Sequence, residues 1–206
     1  MPIGKNYLAI DTSGGYLSVV AAKDGAHASV FEADGALQHS VRLMDAVDEV
    51  LRALNARPND FDFYSAVTGP GSFTGIRIGI STVKGFCAAT GKPALGRTSF
   101  QVLAYNAEGK VLAAVPAGRG NYYVCGYDAE KRVCLAPSFI GEAELVRLSE
   151  EYRVVAYEPM PVACERADPI AGLIASVEGA SEAEFGAIGA YYLKKSQAEE
   201  AREAKN

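Results

Sequence analysis

The chain has 206 residues, is 49% hydrophobic and carries a formal net charge of −5, which supports a packed core and disfavours a broad basic surface for nucleic acid. Four cysteines without C-x-x-C spacing and only two histidines give no support to a disulfide framework or a zinc site. No apolar stretch approaches the roughly 20 residues of a membrane-spanning helix, so we expect a cytoplasmic protein with no membrane partner.

Three consecutive strands joined by tight turns are predicted at the start of the chain. Asp11-Thr12-Ser13-Gly14-Gly15 supplies turn residues after the first strand, and Lys23-Asp24-Gly25 carries a hairpin signal after the second. This pattern predicts an antiparallel arrangement. From Ser40, a plausible N-cap, apolar residues recur every three or four positions to Leu54 and predict an amphipathic helix. The predicted strands lie at residues 7–10, 17–22 and 28–32.

A glycine-rich turn, GPGSFTG at residues 69–75 and hereafter the glycine loop, follows an apolar strand predicted at 63–68 and precedes a helix. Glycines let the backbone approach a ligand, and the first amides of a helix attract anions. The loop has neither a Gly-Lys-Ser/Thr ending nor a G-x-G-x-x-G pattern, so the standard phosphate-binding motifs are absent. Two interpretations stay open: an anion cradle, or a strand-to-helix turn that packs against another element.

The rest of the chain repeats the opening order of elements in shorter form. A composition break near residues 108–110 separates two segments, each with three strands followed by alternating helices and strands. We therefore predict an α/β fold with two related lobes, residues 1–107 and an abbreviated second lobe with C-terminal helices at 108–206. The charged segment 194–206 is typical of a solvated helix end. Further strands are predicted at 94–96, 111–115, 122–127, 132–136 and 154–157, and helices at 99–106, 142–151, 166–177 and 184–192.

Side chains that could carry chemistry gather at two places in the first lobe. In actin-like and sugar-kinase-like folds, an acidic residue and small hydroxyl residues at the end of a strand contact the phosphate and the metal. A structural turn is at least as good an interpretation of this pattern. A protease is not supported, because there is no Ser-His-Asp set and no G-x-S-x-G elbow. The candidate nucleotide or anion contacts are Asp11, Thr12, Ser13, Gly71, Ser72, Thr74 and Gly75.

Several strings along the chain together resemble the TsaB family, the bacterial tRNA threonylcarbamoyladenosine biosynthesis subunit, which is also filed among glycoprotease-like proteins. They are LAIDTS at 8–13, His39-Ser40 before a helix with Asp45 and Asp48, the glycine loop followed by Ile76-Arg77-Ile78-Gly79, and YLKKSQAE at 192–199. The resemblance implies an actin-like (ASKHA) fold. Two positions depart from the family pattern: Ala117-Gly118-Arg119-Gly120 replaces an Asp-Ala-Arg-Arg type segment, and Lys194 takes an Arg position.

The resemblance also implies partner proteins and a separate role for each subunit. It implies that a TsaD-like catalytic subunit and a TsaE-like ATPase work with this chain to transfer a threonylcarbamoyl group from an adenylate to adenosine 37 of tRNAs reading A-starting codons. Ser99 and Leu103 stand where TsaD carries two metal-binding histidines, which implies a non-catalytic subunit. We expect no cofactor in this chain, ATP and a divalent metal in its partners, and indirect contact with tRNA.

The resemblance further implies pairing through helices of the first lobe, with the TsaD-like subunit or as a homodimer. The alternative function is a stand-alone nucleotide-binding phosphotransferase or hydrolase of the actin-like superfamily. The predicted interface residues are Met44, Val47, Leu51, Arg77, Ile80 and Lys84.

Overall fold

The computed structural model describes residues 6–33 and 39–193, and its first half forms a five-stranded sheet. The order of strands is β3-β2-β1-β4-β5. β1 pairs antiparallel with β2, and β2 with β3, whereas β4 and β5 run parallel to β1. The predicted antiparallel start is therefore confirmed. The strands are β1 (Tyr7–Asp11), β2 (Leu17–Lys23), β3 (Ala26–Glu32), β4 (Phe63–Val67) and β5 (Ala94–Arg97).

The second half builds a sheet with the same plan. Its order, read from the outer antiparallel strand, is β8-β7-β6-β9-β10, with β6, β7 and β8 antiparallel and β9 and β10 parallel to β6. The repeated order and directions confirm the predicted α/β class with two related lobes. These strands are β6 (Val111–Gly118), β7 (Asn121–Tyr127), β8 (Val133–Gly141), β9 (Arg153–Ala156) and β10 (Cys164–Arg166).

Among the described residues, five helices cover the faces of the two sheets. α1 and α2 pack on one face of the first sheet and α5 on the other, which explains why β1 is buried along its whole length. α3 and α4 pack on opposite faces of the second sheet. α3 also contacts α5, so this pair of helices joins the two lobes. The helices are α1 (His39–Ala53), α2 (Phe73–Thr90), α3 (Ser99–Ala104), α4 (Glu142–Ser149) and α5 (Pro169–Glu178).

The second lobe is abbreviated at one connection. In the first lobe, β4 and β5 are joined by the glycine loop and the 18-residue α2. In the second, residues 157–163 join β9 to β10 without a helix. The second lobe therefore lacks the counterpart of the loop and helix that carry the main sequence motif. Because α5 returns to the first sheet, the predicted boundary at residues 107 and 108 stays a prediction.

Two predicted helices begin at other residues than expected, and a third predicted helix does not form. α1 begins at His39, so Ser40 lies inside the first turn and is not its N-cap. The helix predicted at 166–177 begins only at Pro169, because β10 extends to Arg166 and Asp168 caps the helix by accepting hydrogen bonds from the amides of Ile170 and Ala171.

The helix predicted at 184–192 does not form. A short 3-10 turn at Glu182–Glu184 is followed by an irregular, extended segment, residues 185–193, hereafter the C-terminal strap. Its apolar residues Phe185, Ile188 and Tyr191 join three different hydrophobic clusters, so their spacing does not mark one face of a helix. The segment predicted as a solvated helix end, 194–206, lies outside the described residues. Within the described ranges, no helix has the length and apolar character to cross a membrane.

Candidate functional site

The turn between β1 and β2, residues 11–16 and hereafter the Asp11 turn, is held by the carboxylate at its start. Asp11 is completely buried. Its Oδ1 accepts a hydrogen bond from the Ser13 amide at 2.8 Å, and its Oδ2 accepts one from the Tyr16 hydroxyl at 2.9 Å. The carboxylate therefore closes the turn that follows it, as aspartate commonly does in Asx turns.

The Asp11 turn and the glycine loop are bonded directly to each other. The Thr12 hydroxyl donates to the Gly75 carbonyl at 2.6 Å, and the Ser72 amide donates to the Ser13 carbonyl at 2.7 Å. A Cβ on Gly71 would stand 2.2 Å from the Ser13 carbonyl oxygen, closer than atoms can approach. The glycine at this position thus allows the contact of two backbone segments.

Further polar groups of the glycine loop are used inside the protein. The Ser72 hydroxyl caps α2 by accepting from the Gly75 amide at 3.2 Å. Ser99 donates its hydroxyl to the Pro70 carbonyl at 2.8 Å and its amide to the Gly69 carbonyl at 2.9 Å. These bonds favour the packing turn over the anion cradle, the two interpretations left open above.

The seven candidate anion contacts differ in accessibility. Asp11, Thr12, Ser13 and Gly75 are buried, while Gly71, Ser72 and Thr74 are exposed. The structure brings the two groups side by side, and their contact with a nucleotide or another anion stays a prediction.

A cleft of about 320 Å³ opens between the lobes beside these residues. The first lobe contributes the Asp11 turn and the glycine loop, and the second lobe contributes the end of β6 and the residues after β9. Its charged lining residue is Glu158, and no lysine or arginine of the described ranges lines it. The lining residues are Ser13, Gly14, Gly15, Tyr16, Gly71, Ser72, Ala114, Val115, Pro116, Tyr157 and Glu158.

Two tyrosines of the cleft surround the Asp11 carboxylate. The rings of Tyr16 and Tyr157 meet edge to face with centroids 5.0 Å apart. Burial and then the negative charge of Asp11 raise the pKa of both hydroxyls well above the ordinary tyrosine value. Both phenols therefore stay protonated at neutral pH.

The two positions predicted to replace the metal-binding histidines lie in α3 and are packed inside the protein. Ser99 is buried by the glycine loop, and Leu103 is completely buried in the core of the second lobe. A leucine side chain has no atom that can ligate a metal. The described residues contain no group of three or more His, Cys, Asp or Glu side chains placed to hold a metal ion.

The six predicted interface residues divide between surface and core. Val47 is completely buried and Ile80 nearly so, both in the core between α1, α2 and the first sheet. These two cannot contact a partner, because the stripe of apolar residues that predicted them belongs to the internal packing of the lobe. Leu51 is half-buried against the same core. Met44, Arg77 and Lys84 are exposed, and an interface role for these four stays a prediction.

Sequence reasoning missed the contacts of the C-terminal strap. Its Gly186 amide donates to the Ala94 carbonyl at 3.0 Å, and its Tyr191 amide donates to the Thr68 carbonyl at 2.8 Å. Tyr192 stacks on Phe73 of α2 with ring centroids 5.0 Å apart. The strap therefore runs along the edge of the first sheet to the glycine loop, where the sequence pattern predicted a helix instead.

The segment that departs from the family pattern forms a tight hairpin between β6 and β7. Gly118, Arg119 and Gly120 all have positive φ, between 54° and 78°. Asn121 donates its side-chain amide to the Arg119 carbonyl at 3.0 Å. The two glycines fit the left-handed backbone of this turn.

Comparison with known proteins agrees with this architecture. Over residues 33–161 the chain matches the family described as TsaD, tRNA N6-adenosine threonylcarbamoyltransferase. The chain belongs to this family. The predicted resemblance is also confirmed by curated relatives named tRNA threonylcarbamoyladenosine biosynthesis protein TsaB. The Escherichia coli K12 protein is 31% identical over 129 residues, which are 60% of this chain and 55% of that protein. The Bacillus subtilis 168 protein is 31% identical over 119 residues, 56% and 52% of the two chains.

The chain thus spans about half the length of the curated relatives it matches. Solved structures cover more of it. A Pseudomonas aeruginosa protein described as similar to peptidase YeaZ superposes with a TM-score of 0.78 at 24% identity, over 92% of this chain and all of that one. YeaZ from Pseudomonas aeruginosa gives 0.71 at 25% identity, over 85% and 91% of the two chains. The two-lobed fold of the TsaD family is therefore shared with these proteins.

Proposed function

We propose that this chain is a non-catalytic partner subunit of the bacterial complex that forms N6-threonylcarbamoyladenosine at position 37 of tRNAs reading A-starting codons. It acts by binding and activating a TsaD-like catalytic subunit in the cytoplasm. A TsaE-like ATPase and the tRNA are reached through the complex. ATP and the divalent metal belong to the partner subunits, and this chain requires no cofactor of its own.

The observation that carries the proposal is the combination of family membership with the packing of α3. Relatives named TsaB support a place in threonylcarbamoyladenosine biosynthesis. Ser99 and Leu103 occupy the positions of the histidines expected in the catalytic subunit, and both are enclosed by the fold. A chain of this family without those ligands can contribute to the reaction by holding the catalytic subunit in its active form.

A surface for that role lies on α1. Val41 and Met44 are 70% and 50% exposed, although the rest of the apolar stripe of this helix packs inside. Two large apolar side chains one turn apart on a helix suit packing against a partner helix. Arg77 and Lys84 stand on α2, which packs beside α1 on the same face of the sheet.

The test is copurification with the cognate TsaD-like protein. We expect Val41→Asp and Met44→Asp each to weaken the complex at least about tenfold, because a buried unpaired carboxylate costs more than the 1.4 kcal/mol that a factor of ten requires. Val146→Asp on α4 is the matched control, since Val146 is also an exposed helix valine, 43% accessible. Complexes that form equally well with all three variants would move the interface away from α1.

The alternative, a stand-alone phosphotransferase or hydrolase, is not favoured by the cleft. A nucleotide carries several negative charges, whereas the described lining offers Glu158 and no lysine or arginine. The second lobe also lacks a counterpart of the glycine loop and α2. Calorimetry with ATP and magnesium ions on the isolated chain should show no tight binding; micromolar affinity would favour the alternative.

A further inference from the structure

Each lobe contributes a tyrosine to the cleft between them. Tyr16 ends the Asp11 turn of the first lobe, and Tyr157 directly follows β9 of the second. Their rings meet edge to face with centroids 5.0 Å apart, one of the arrangements that aromatic pairs prefer. Tyr157 also packs against the core between the first sheet and α5, and against the core of the second lobe. This side chain therefore contacts both lobes at once.

The hydroxyls of the two tyrosines connect this contact to the Asp11 carboxylate. The Tyr16 hydroxyl donates to Asp11 Oδ2 at 2.9 Å, and it is also hydrogen-bonded to the Tyr157 hydroxyl. A phenol has one hydrogen to donate, so Tyr16 accepts its second bond from Tyr157. Asp11 Oδ1 accepts from the Ser13 amide at 2.8 Å. The series of hydrogen bonds thus runs from the second lobe to the end of β1, the central strand of the first sheet.

Separating the lobes at this place is unfavourable for two reasons. Asp11 is completely buried, and the hydrogen bonds that it accepts offset the cost of burying its charge. Opening the cleft would draw Tyr157 away from Tyr16, which breaks a hydrogen bond of this series and leaves a phenol hydroxyl without its partner. It would also expose ring surface that now packs against both cores.

The contact between α3 and α5 is a second fixed connection between the lobes. A Cβ on Gly172 of α5 would stand 2.4 Å from the Val102 carbonyl oxygen of α3, so the two helices touch without room for a side chain. Asn106, after α3, donates its side-chain amide to the same carbonyl at 2.9 Å and accepts from the Asp168 amide at 2.7 Å. The lobes are therefore held both at the cleft and at this helix pair.

We propose that Asp11, Tyr16 and Tyr157 form a latch, hereafter the tyrosine latch, that keeps the two lobes in one orientation without a bound ligand. Proteins with two lobes commonly close by a hinge motion around a molecule that binds between them. In this chain, side chains of the protein itself make the connection across the cleft. The inference concerns the isolated chain and does not depend on the proposed function, so each can fail without the other.

The experiment compares the orientations of the two sheets by NMR residual dipolar couplings of backbone amides in the full chain. In the native protein we expect a single alignment tensor to fit the amides of both sheets. Tyr157→Ala removes the ring contact and the hydroxyl together, so the two sheets should then require separate tensors. A single shared tensor in Tyr157→Ala, or separate tensors in the native protein, would overturn the proposal.

Conservative variants test the hydrogen-bonded part of the tyrosine latch even if Tyr157→Ala does not fold. Tyr157→Phe should lower the equilibrium constant for folding about fivefold, the usual effect of one lost hydrogen bond. In a Tyr16→Phe background the same change should be neutral or stabilising, because the partner hydroxyl is already gone. Tyr64→Phe is the matched control background, since Tyr64 is buried in the first lobe and donates to the Pro58 carbonyl at 2.6 Å.

In the control background, Tyr157→Phe should again cost about fivefold, because the two hydroxyls do not interact. Urea denaturation of the four single and double variants and the native chain gives these constants. Equal effects of Tyr157→Phe in the native and Tyr16→Phe backgrounds would contradict the latch.

Discussion

At the scale of single residues, the first lobe depends on close contacts that only small side chains allow. Gly79 of α2 faces the Asp11 turn, and a Cβ there would stand 2.6 Å from the Thr12 hydroxyl oxygen. That hydroxyl is buried and already bonded to the Gly75 carbonyl. It has little freedom to move, so the glycine sets the distance between helix and turn.

Gly79→Ala is therefore expected to lower the free energy of unfolding by about 1–3 kcal/mol, the usual result of overpacking. Gly85→Ala is the matched control on the same helix, because a Cβ at Gly85 meets no atom within 4 Å. The control should be neutral or stabilising by up to about 1 kcal/mol, since alanine has the higher helix propensity. Urea denaturation of both variants measures the difference, and equal stabilities would show that the turn yields without cost.

At the scale of elements, an ion pair anchors the beginning of the C-terminal strap. The Arg97 side chain of β5 is almost completely buried and donates to Glu184 Oε1 at 2.5 Å. Glu184 Oε2 accepts from the Ser181 amide at 2.7 Å. Burial alone would raise the pKa of Glu184, but the Ser181 amide and Arg97 outweigh it and lower that pKa below 4.5.

Because the pKa of Glu184 is lowered in the folded protein, its stabilising effect is present above about pH 4.5 and is lost as the pH falls through the lowered value. We expect the amides of Gly186 and Tyr191 to lose protection from hydrogen exchange as the pH falls below about 4.5.

Glu184→Gln should reduce the protection of both amides by about 5- to 30-fold at neutral pH, which corresponds to 1–2 kcal/mol. The variant leaves the Arg97 charge buried without its carboxylate. Glu142→Gln, an exposed glutamate at the start of α4, should change neither amide. Unaltered protection in Glu184→Gln would mean that the apolar contacts of the strap suffice.

Elements with a clear period or turn signal were predictable from the sequence, and elements fixed by distant contacts were not. The hairpins of the first sheet and the apolar stripe of α1 carry local signals, which appear in the structure near the predicted positions. The strap has apolar residues whose partners, such as Phe63 and Phe73, lie more than a hundred residues away in sequence. No local pattern encodes such pairing.

The candidate site was predictable in composition but not in role. The sequence identified Asp11, Ser72 and the glycines as a group, and the structure does place the Asp11 turn against the glycine loop. The sequence could not show that many polar atoms of this group bond to one another. Nor could it show that the side chains of Val47 and Ile80 are buried in the core. Helical periodicity marks an apolar face without telling core from interface.

At the scale of the whole molecule, the two lobes contain sheets with the same strand order, but the connections between their parallel strands differ in length. The first lobe retains the glycine loop and α2, and the second replaces them with the short connection at 157–163. The contact between α3 and α5 joins the two lobes. The inward-bonded glycine loop and the two exposed apolar side chains of α1 are the features on which the proposed role as a partner subunit rests.

Reconstitution of the modification tests this account most directly. Cognate TsaD-like and TsaE-like proteins, ATP, threonine, bicarbonate and tRNA are combined with and without this chain, and threonylcarbamoyladenosine is quantified by mass spectrometry of the digested tRNA. We predict modification only when the chain is present, and its loss when Met44→Asp replaces the native protein. Equal modification in the absence of the chain would contradict its role as the activating subunit.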